Sequence, residues 1–134
     1  MSHGGKASPA IVVANAYNIE RHIADGIEMA AIDEAHFFDE RLADVVVRLV
    51  QRGVDVVLTS LQPDSWGRSF AATERLLNLA DEPLVTTAVC ARCGALADCT
   101  QRLTPIIDGQ MVVEPSNYEP RCRKCWRPPP EPPK

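Results

Sequence analysis

The sequence predicts an α/β fold, a small parallel sheet covered by helices, followed by a short cysteine-tied β appendage. Three observations carry that prediction. Apolar runs of strand length alternate with helical periodicity through the first two-thirds of the chain. Within that stretch residues 27–32, 39–53 and 54–60 read as strand, helix and strand, and such a unit needs a crossover joining two parallel strands. Beyond Val89 the pattern gives way to two Cys-x-x-Cys pairs, Cys90 with Cys93 and Cys122 with Cys125.

Residues 8–14 (SPAIVVA) are apolar and of strand length, and residues 16–25 read as a short helix that Gly26 ends. Residues 27–32 (IEMAAI) form the next strand, whose apolar run stops at Asp33 and Glu34. The helix that follows is the clearest element. Asp39 is its expected N-cap, Leu42, Val45, Val46, Leu49 and Val50 recur at helical spacing, and Gly53 marks its stop. Residues 54–60 (VDVVLTS) are a continuous apolar strand, LQPDSWGRS is a loop, residues 70–79 (FAATERLLNL) return to helical spacing, and residues 84–89 (LVTTAV) are a strand feeding Cys90. After Trp126 the run RPPPEPPK cannot be helix or central strand, because proline lacks an N–H and fixes φ. It is expected to be extended and solvated, with a Pro-rich ligand for a partner domain as the alternative. The expected division is an α/β core over 1–89, a metal-tied appendage over 90–127 and a tail over 128–134.

Bulk properties narrow the function classes. With 134 residues, 46% of them apolar, the chain can build one modest domain and a small appendage. A net charge of −4 argues against a general binder of phosphate backbones. No apolar run reaches bilayer length and no signal-peptide pattern opens the chain, so a cytoplasmic location is expected.

Five cysteines, an odd number, do not make a closed disulfide framework and fit a reducing compartment better. Each Cys-x-x-Cys pair has the spacing that turns two thiolates onto one ion, so Cys90, Cys93, Cys122 and Cys125 are the expected ligands of a tetrahedral structural Zn²⁺. Cys99 is left as a small strand residue beside the site. Redox-active pairs are one alternative. Another is a zinc ribbon on nucleic acid, with Arg121, Arg123, Lys124 and Arg127 as its patch, although such charges also simply offset thiolates.

The string AAIDEAHFF places two acids where a strand leaves the sheet. Ligands of open α/β sheets sit at such carboxyl ends. One reading makes Asp33 a Mg²⁺ partner and Glu34 a general base. The other has both acids merely opening the next loop and helix, where negative charge is favoured.

IDEAHFFD, VDVVLTS with the loop to Phe70, LVTTAVCARCGALADCTQRL and YEPRCRKC together resemble the thymidine kinase family of the zinc-lasso, tetrameric, cytosolic type. The likeness runs from the SHGG near the start to Cys125. It implies a P-loop-kinase-like parallel sheet, N-terminally truncated, and a zinc-bound β lasso. It implies phosphoryl transfer from ATP to deoxythymidine, with Mg²⁺ accompanying ATP. Asp33 matches the family's Mg²⁺-associated acid and Glu34 its catalytic base. Phe37, Phe38 and Phe70 match aromatics at the nucleoside, and Tyr118 matches one packing near the lasso that lies over thymine. Cys125 stands where many relatives have His.

Four positions depart from the family pattern. No GxxxxGK[ST] phosphate loop occurs; the GGK of Gly4–Lys6 is too short, and Ala7 follows it where Ser or Thr would be needed. The expected consequence is a truncated sheet with an open edge, or a catalytically silent relative that binds nucleoside or assembles with an intact subunit. His36 replaces the usual Gln or other polar residue and is read as tolerated, not as a metal ligand. Gln62 replaces an acid. Val113 and Glu114 replace a Gly-Gly that permits close backbone approach.

Overall fold

The computed structural model describes residues 7–105 and 117–130. Gly4–Lys6, Val113 and Glu114, which the sequence singled out, lie outside the described residues. Helix α1 (Ala16–Arg21) starts where the Asn15 side chain accepts the Asn18 N–H at 3.2 Å, and it ends earlier than its pattern suggested. Strand β1 (Met29–Ile32) and strand β2 (Asp55–Leu58) pair in parallel, with Met29 opposite Asp55 and Ile32 opposite Leu58. Helix α2 (Arg41–Gln51) connects them, so the strand–helix–strand unit is present.

α2 exists because of its apolar stripe. Leu42, Ala43, Val45 and Leu49 are fully buried, and they form one core with Ala16 and Ile19 of α1, Ala30 and Ile32 of β1, and Leu76. Asp39 does not occupy the N-cap position, which falls to Glu40, yet its carboxylate accepts the Arg41 N–H at 2.9 Å and so still satisfies an open helix donor. Helix α3 (Ala71–Leu79) packs on α2, and Arg75 ties the two by meeting Asp44 at 3.0 Å.

The appendage holds four short strands: β3 (Ala88–Val89), β4 (Leu96–Ala97), β5 (Cys99–Arg102) and β6 (Tyr118–Arg121). β3 pairs antiparallel with β4, and β5 antiparallel with β6. Its only buried hydrophobic cluster among the described residues is Cys90, Ala97 and Cys122, with Cys125 packed against them. This part of the chain folds around sulfur.

Two strand expectations are corrected. Residues 8–14 form no strand: no ladder partner for them exists among the described residues, Pro9 offers no N–H, and Ile11 and Val12 point outward. They lie across a groove of about 530 Å³ instead, with Val13 against the core. Residues 84–89 do not extend the parallel sheet either. Only Ala88 and Val89 are in a strand, an antiparallel one, while Leu84 and Val85 are exposed. A strand of two residues belongs to the turn it feeds, and here that turn carries Cys90.

The tail has no regular structure through Pro130, as its prolines require, and residues 131–134 lie outside the described residues. It is not free of the body. The Trp66 indole N–H donates to the Pro130 carbonyl at 2.8 Å. The Trp126 ring lies so close over Gly67 that a Cβ there would be 3.0 Å from it. Gln101 holds the approach in place, accepting the Arg127 N–H at 2.8 Å and donating to the Arg127 carbonyl at 2.9 Å.

Candidate active site and metal centre

The two parallel strands end together and their ends are clasped. Thr59 N–H donates to the Ile32 carbonyl at 3.0 Å, and Ala35 N–H donates to the Thr59 carbonyl at 2.9 Å. Between these bonds sits Asp33, whose carboxylate accepts the Thr59 hydroxyl and, at 3.0 Å, the Glu34 N–H. The hydroxyl above all, helped by that N–H, holds Asp33 below the usual aspartate range. A carboxylate kept ionised and open to solvent is chemically suited to a divalent cation. Asp33 and Thr59 also line the groove, together with Val13, Ile23 and Phe38.

Glu34 is the one non-glycine residue in the left-handed region among the described residues, at φ 56°. Its half-exposed carboxylate lies by His36, whose Nε2 is 3.2 Å from Glu34 Oε2. His36 occupies a 3-10 turn, Ala35–Phe37, and is buried. Its Nδ1 accepts the Leu61 N–H at 3.1 Å. Its ring stands between Phe37, at 4.2 Å between centroids, and Phe70, at 5.1 Å. Burial pushes the imidazole below the ordinary histidine value, although Glu34 and Asp33 pull the other way.

Of the predicted site residues, Glu34, Phe37 and Phe70 thus converge on His36, and Asp33 stands beside them. Phe38 turns the other way and packs against the core at the groove. Tyr118 belongs to the appendage. Its hydroxyl accepts from Arg102 at 3.2 Å, and none of its hydrogen bonds or ring contacts among the described residues reaches the Glu34 cluster.

Three participants escaped the sequence reading. Thr59 follows β2 at the level where Asp33 follows β1, and a polar residue in that register was the available signal. His36 was set aside as tolerated. Gln62 does structural work in the loop, its side-chain oxygen accepting the Phe70 N–H at 3.0 Å.

The four sulfurs of Cys90, Cys93, Cys122 and Cys125 all lie within 4.8 Å of one another, and Cys93 and Cys122 are 3.6 Å apart. A tetrahedral zinc with bonds of about 2.3 Å requires sulfur separations of about 3.8 Å. The set fits. The knuckle backbones close on themselves, Gly94 N–H donating to the Cys90 carbonyl at 2.9 Å and Cys125 N–H to the Cys122 carbonyl at 3.0 Å. Backbone hydrogen bonds, that of Cys122 first, draw the Cys90 thiol down to about 6, while neighbouring Cys93 and Cys122 push Cys125 up to about 12. Four sulfurs this close cannot all ionise alone, and a dication resolves the conflict. Cys99 stays outside the set, its thiol pushed up by burial and by Asp98.

Three basic residues of the second knuckle have local partners. Arg121 meets Glu119 at 2.6 Å, Arg123 meets Asp98 at 3.1 Å, and Arg127 donates to the Lys124 carbonyl at 3.0 Å. No helix among the described residues is long and apolar enough to cross a membrane.

A family model described as thymidine kinase matches residues 1–126. That span takes in the clasped strand ends, the Asp33–Glu34 pair and all four clustered cysteines, and the chain belongs to the thymidine kinase family.

Proposed function

We propose that the chain is a thymidine kinase, or the larger part of one, which moves the γ-phosphoryl group of ATP to the 5′-hydroxyl of deoxythymidine in nucleotide salvage. The observation that carries this reading is the Asp33–Glu34 pair at the carboxyl end of a parallel strand, in a chain of this family. Glu34 acts as general base. It takes the 5′-hydroxyl proton as that oxygen bonds to the γ-phosphorus and the bond to the departing ADP oxygen breaks. Such transfers depend mostly on positioning, to which the left-handed backbone turn at Glu34 contributes. Asp33 would hold the Mg²⁺ that comes with ATP, an ion that offsets charge on the phosphates when bound. Phe37 and Phe70 beside His36, and Phe38 at the groove, supply apolar surface for the nucleoside, with Tyr118 near the base by resemblance to the family.

Cys90, Cys93, Cys122 and Cys125 would hold a structural Zn²⁺ that orders this appendage and so lowers the entropy lost when nucleoside binds. The division into core, lasso and tail, a homotetramer and a cytoplasmic location complete the proposal.

A second reading is favoured by one sequence observation, the absence of GxxxxGK[ST] from these residues. On it the chain binds nucleoside, or assembles with an intact kinase subunit, and transfers nothing itself. Calorimetry with thymidine and a phosphoryl-transfer assay, on the wild-type gene product and on Glu34→Gln, test both readings. The kinase reading expects binding to persist in the variant while transfer falls by at least roughly a hundredfold. An unchanged rate removes Glu34 from the base role. Wild-type protein that binds thymidine yet neither transfers phosphate nor hydrolyses ATP establishes the second reading.

A further inference from the structure

His36 is a buried polar side chain at this site to which the mechanism above gives no task. A ring nitrogen that accepts an N–H carries a lone pair and no hydrogen, so the 3.1 Å bond from Leu61 fixes Nδ1 as bare. The neutral imidazole then carries its hydrogen on Nε2, and that nitrogen is the one 3.2 Å from Glu34 Oε2. Two aromatic rings restrain the imidazole's tilt, Phe37 from its own turn and Phe70 from the far end of the following loop. The ring therefore joins two ends of that loop, Leu61 and Phe70, to the Glu34 carboxylate.

We propose that His36 is a positioning residue that holds the aim of the Glu34 carboxylate, the Nε2 edge of its fixed ring lying 3.2 Å from Oε2. The assignment rests on the reading of Glu34 as base. His36 itself takes no proton in the transfer, because Nε2 already carries one and Nδ1 is occupied by Leu61. Among the described residues, the carboxylates acting on its charge are Glu34 and Asp33. Glu34 gains direction from this contact, since its backbone turn alone leaves the side chain half exposed.

The test has a spectroscopic arm and a kinetic arm. In the ¹⁵N-labelled full chain, which has three histidines, the His36 ring is assigned by its loss in His36→Gln. Long-range ¹H–¹⁵N correlation should show the Nε2–H tautomer, with Nε2 moving when Glu34 is changed to Gln. An Nδ1–H tautomer, or an Nε2 signal indifferent to that change, overturns the proposal whether or not the chain transfers phosphate. In the kinetic arm His36→Phe keeps a ring between Phe37 and Phe70 and removes both polar contacts. Its kcat should fall by about tenfold or more with thymidine Kd within about threefold. His36→Gln, whose amide can donate in place of Nε2, should regain most of the rate. In a Glu34→Gln background His36→Phe should add little further loss. Equal losses in both His36 variants, a loss confined to thymidine Kd, or full additivity with Glu34→Gln would refute it. An unchanged rate in Glu34→Gln alone would instead refute the base assignment and leave the tautomer result standing.

Discussion

Replacing Cys122 by Ala removes one of the four converging sulfurs and half of the buried thiol content of the appendage core. The apolar contribution that remains can be bounded. Ala97 and Cys90 are small, and side chains of that size supply roughly 1 kcal/mol each on burial. A structural zinc in a comparable sulfur site contributes about 10–16 kcal/mol near neutral pH. The metal term exceeds the packing term several-fold, so the variant should lose ordered β3–β6 while α1–α3 and the parallel pair stay folded. The two tryptophans make this visible, because Trp126 follows the last cysteine directly and Trp66 meets the chain beyond it. Metal analysis should fall from about one zinc per chain to far less. Tryptophan emission should shift to the red, and amide exchange should accelerate in β5 and β6 but not in α2. Chelation of the wild-type metal should reproduce all three changes. If Cys122→Ala keeps slow exchange in β5 and β6 and unshifted emission, the appendage has another source of stability and the sulfur-centred account is wrong.

Thr59→Val removes the hydroxyl that chiefly depresses the Asp33 carboxyl, so NMR titration should find that group higher, nearer the ordinary aspartate value. A depressed carboxyl stabilises the fold above its unfolded value and loses that contribution as pH falls through its folded value, so the variant's stability deficit against wild type should be present near neutral pH and should narrow on acidification. Gly67→Ala places a methyl 3.0 Å from the Trp126 ring at a φ of +78°, and chemical denaturation should show a loss of about 1–3 kcal/mol with altered tryptophan emission. Leu49→Ala opens a void in the fully buried centre of α2 and should lower stability by about 2–5 kcal/mol, leaving metal content unchanged.

Where the sequence was legible, the signal was local. α2 could be read because its apolar stripe is set by its own spacing, and the Cys-x-x-Cys knuckles because two thiolates two residues apart already define a turn. The placement of Asp33 and Glu34 followed from the βαβ pattern alone. The errors came where hydrophobicity had to stand in for a partner. Residues 8–14 and 84–89 are apolar enough for strands, but a strand exists only if another backbone is beside it. Residues distant in sequence hid the rest. Thr59 matters through register with β1, and His36 through Leu61 and Phe70, 25 and 34 positions further along. Nothing in the string AHFF distinguishes a buried imidazole bonded through Nδ1 from one facing water.

The contact of Trp66 with Pro130 bears on how the C-terminus should be handled. A proline-rich end invites trimming by anyone preparing the protein, and no sulfur would be lost by ending the chain at Arg127. Such a cut would strip an outer buttress from the bend leading to Phe70, so a shortened version would keep all four sulfurs while the loop before α3 loosens.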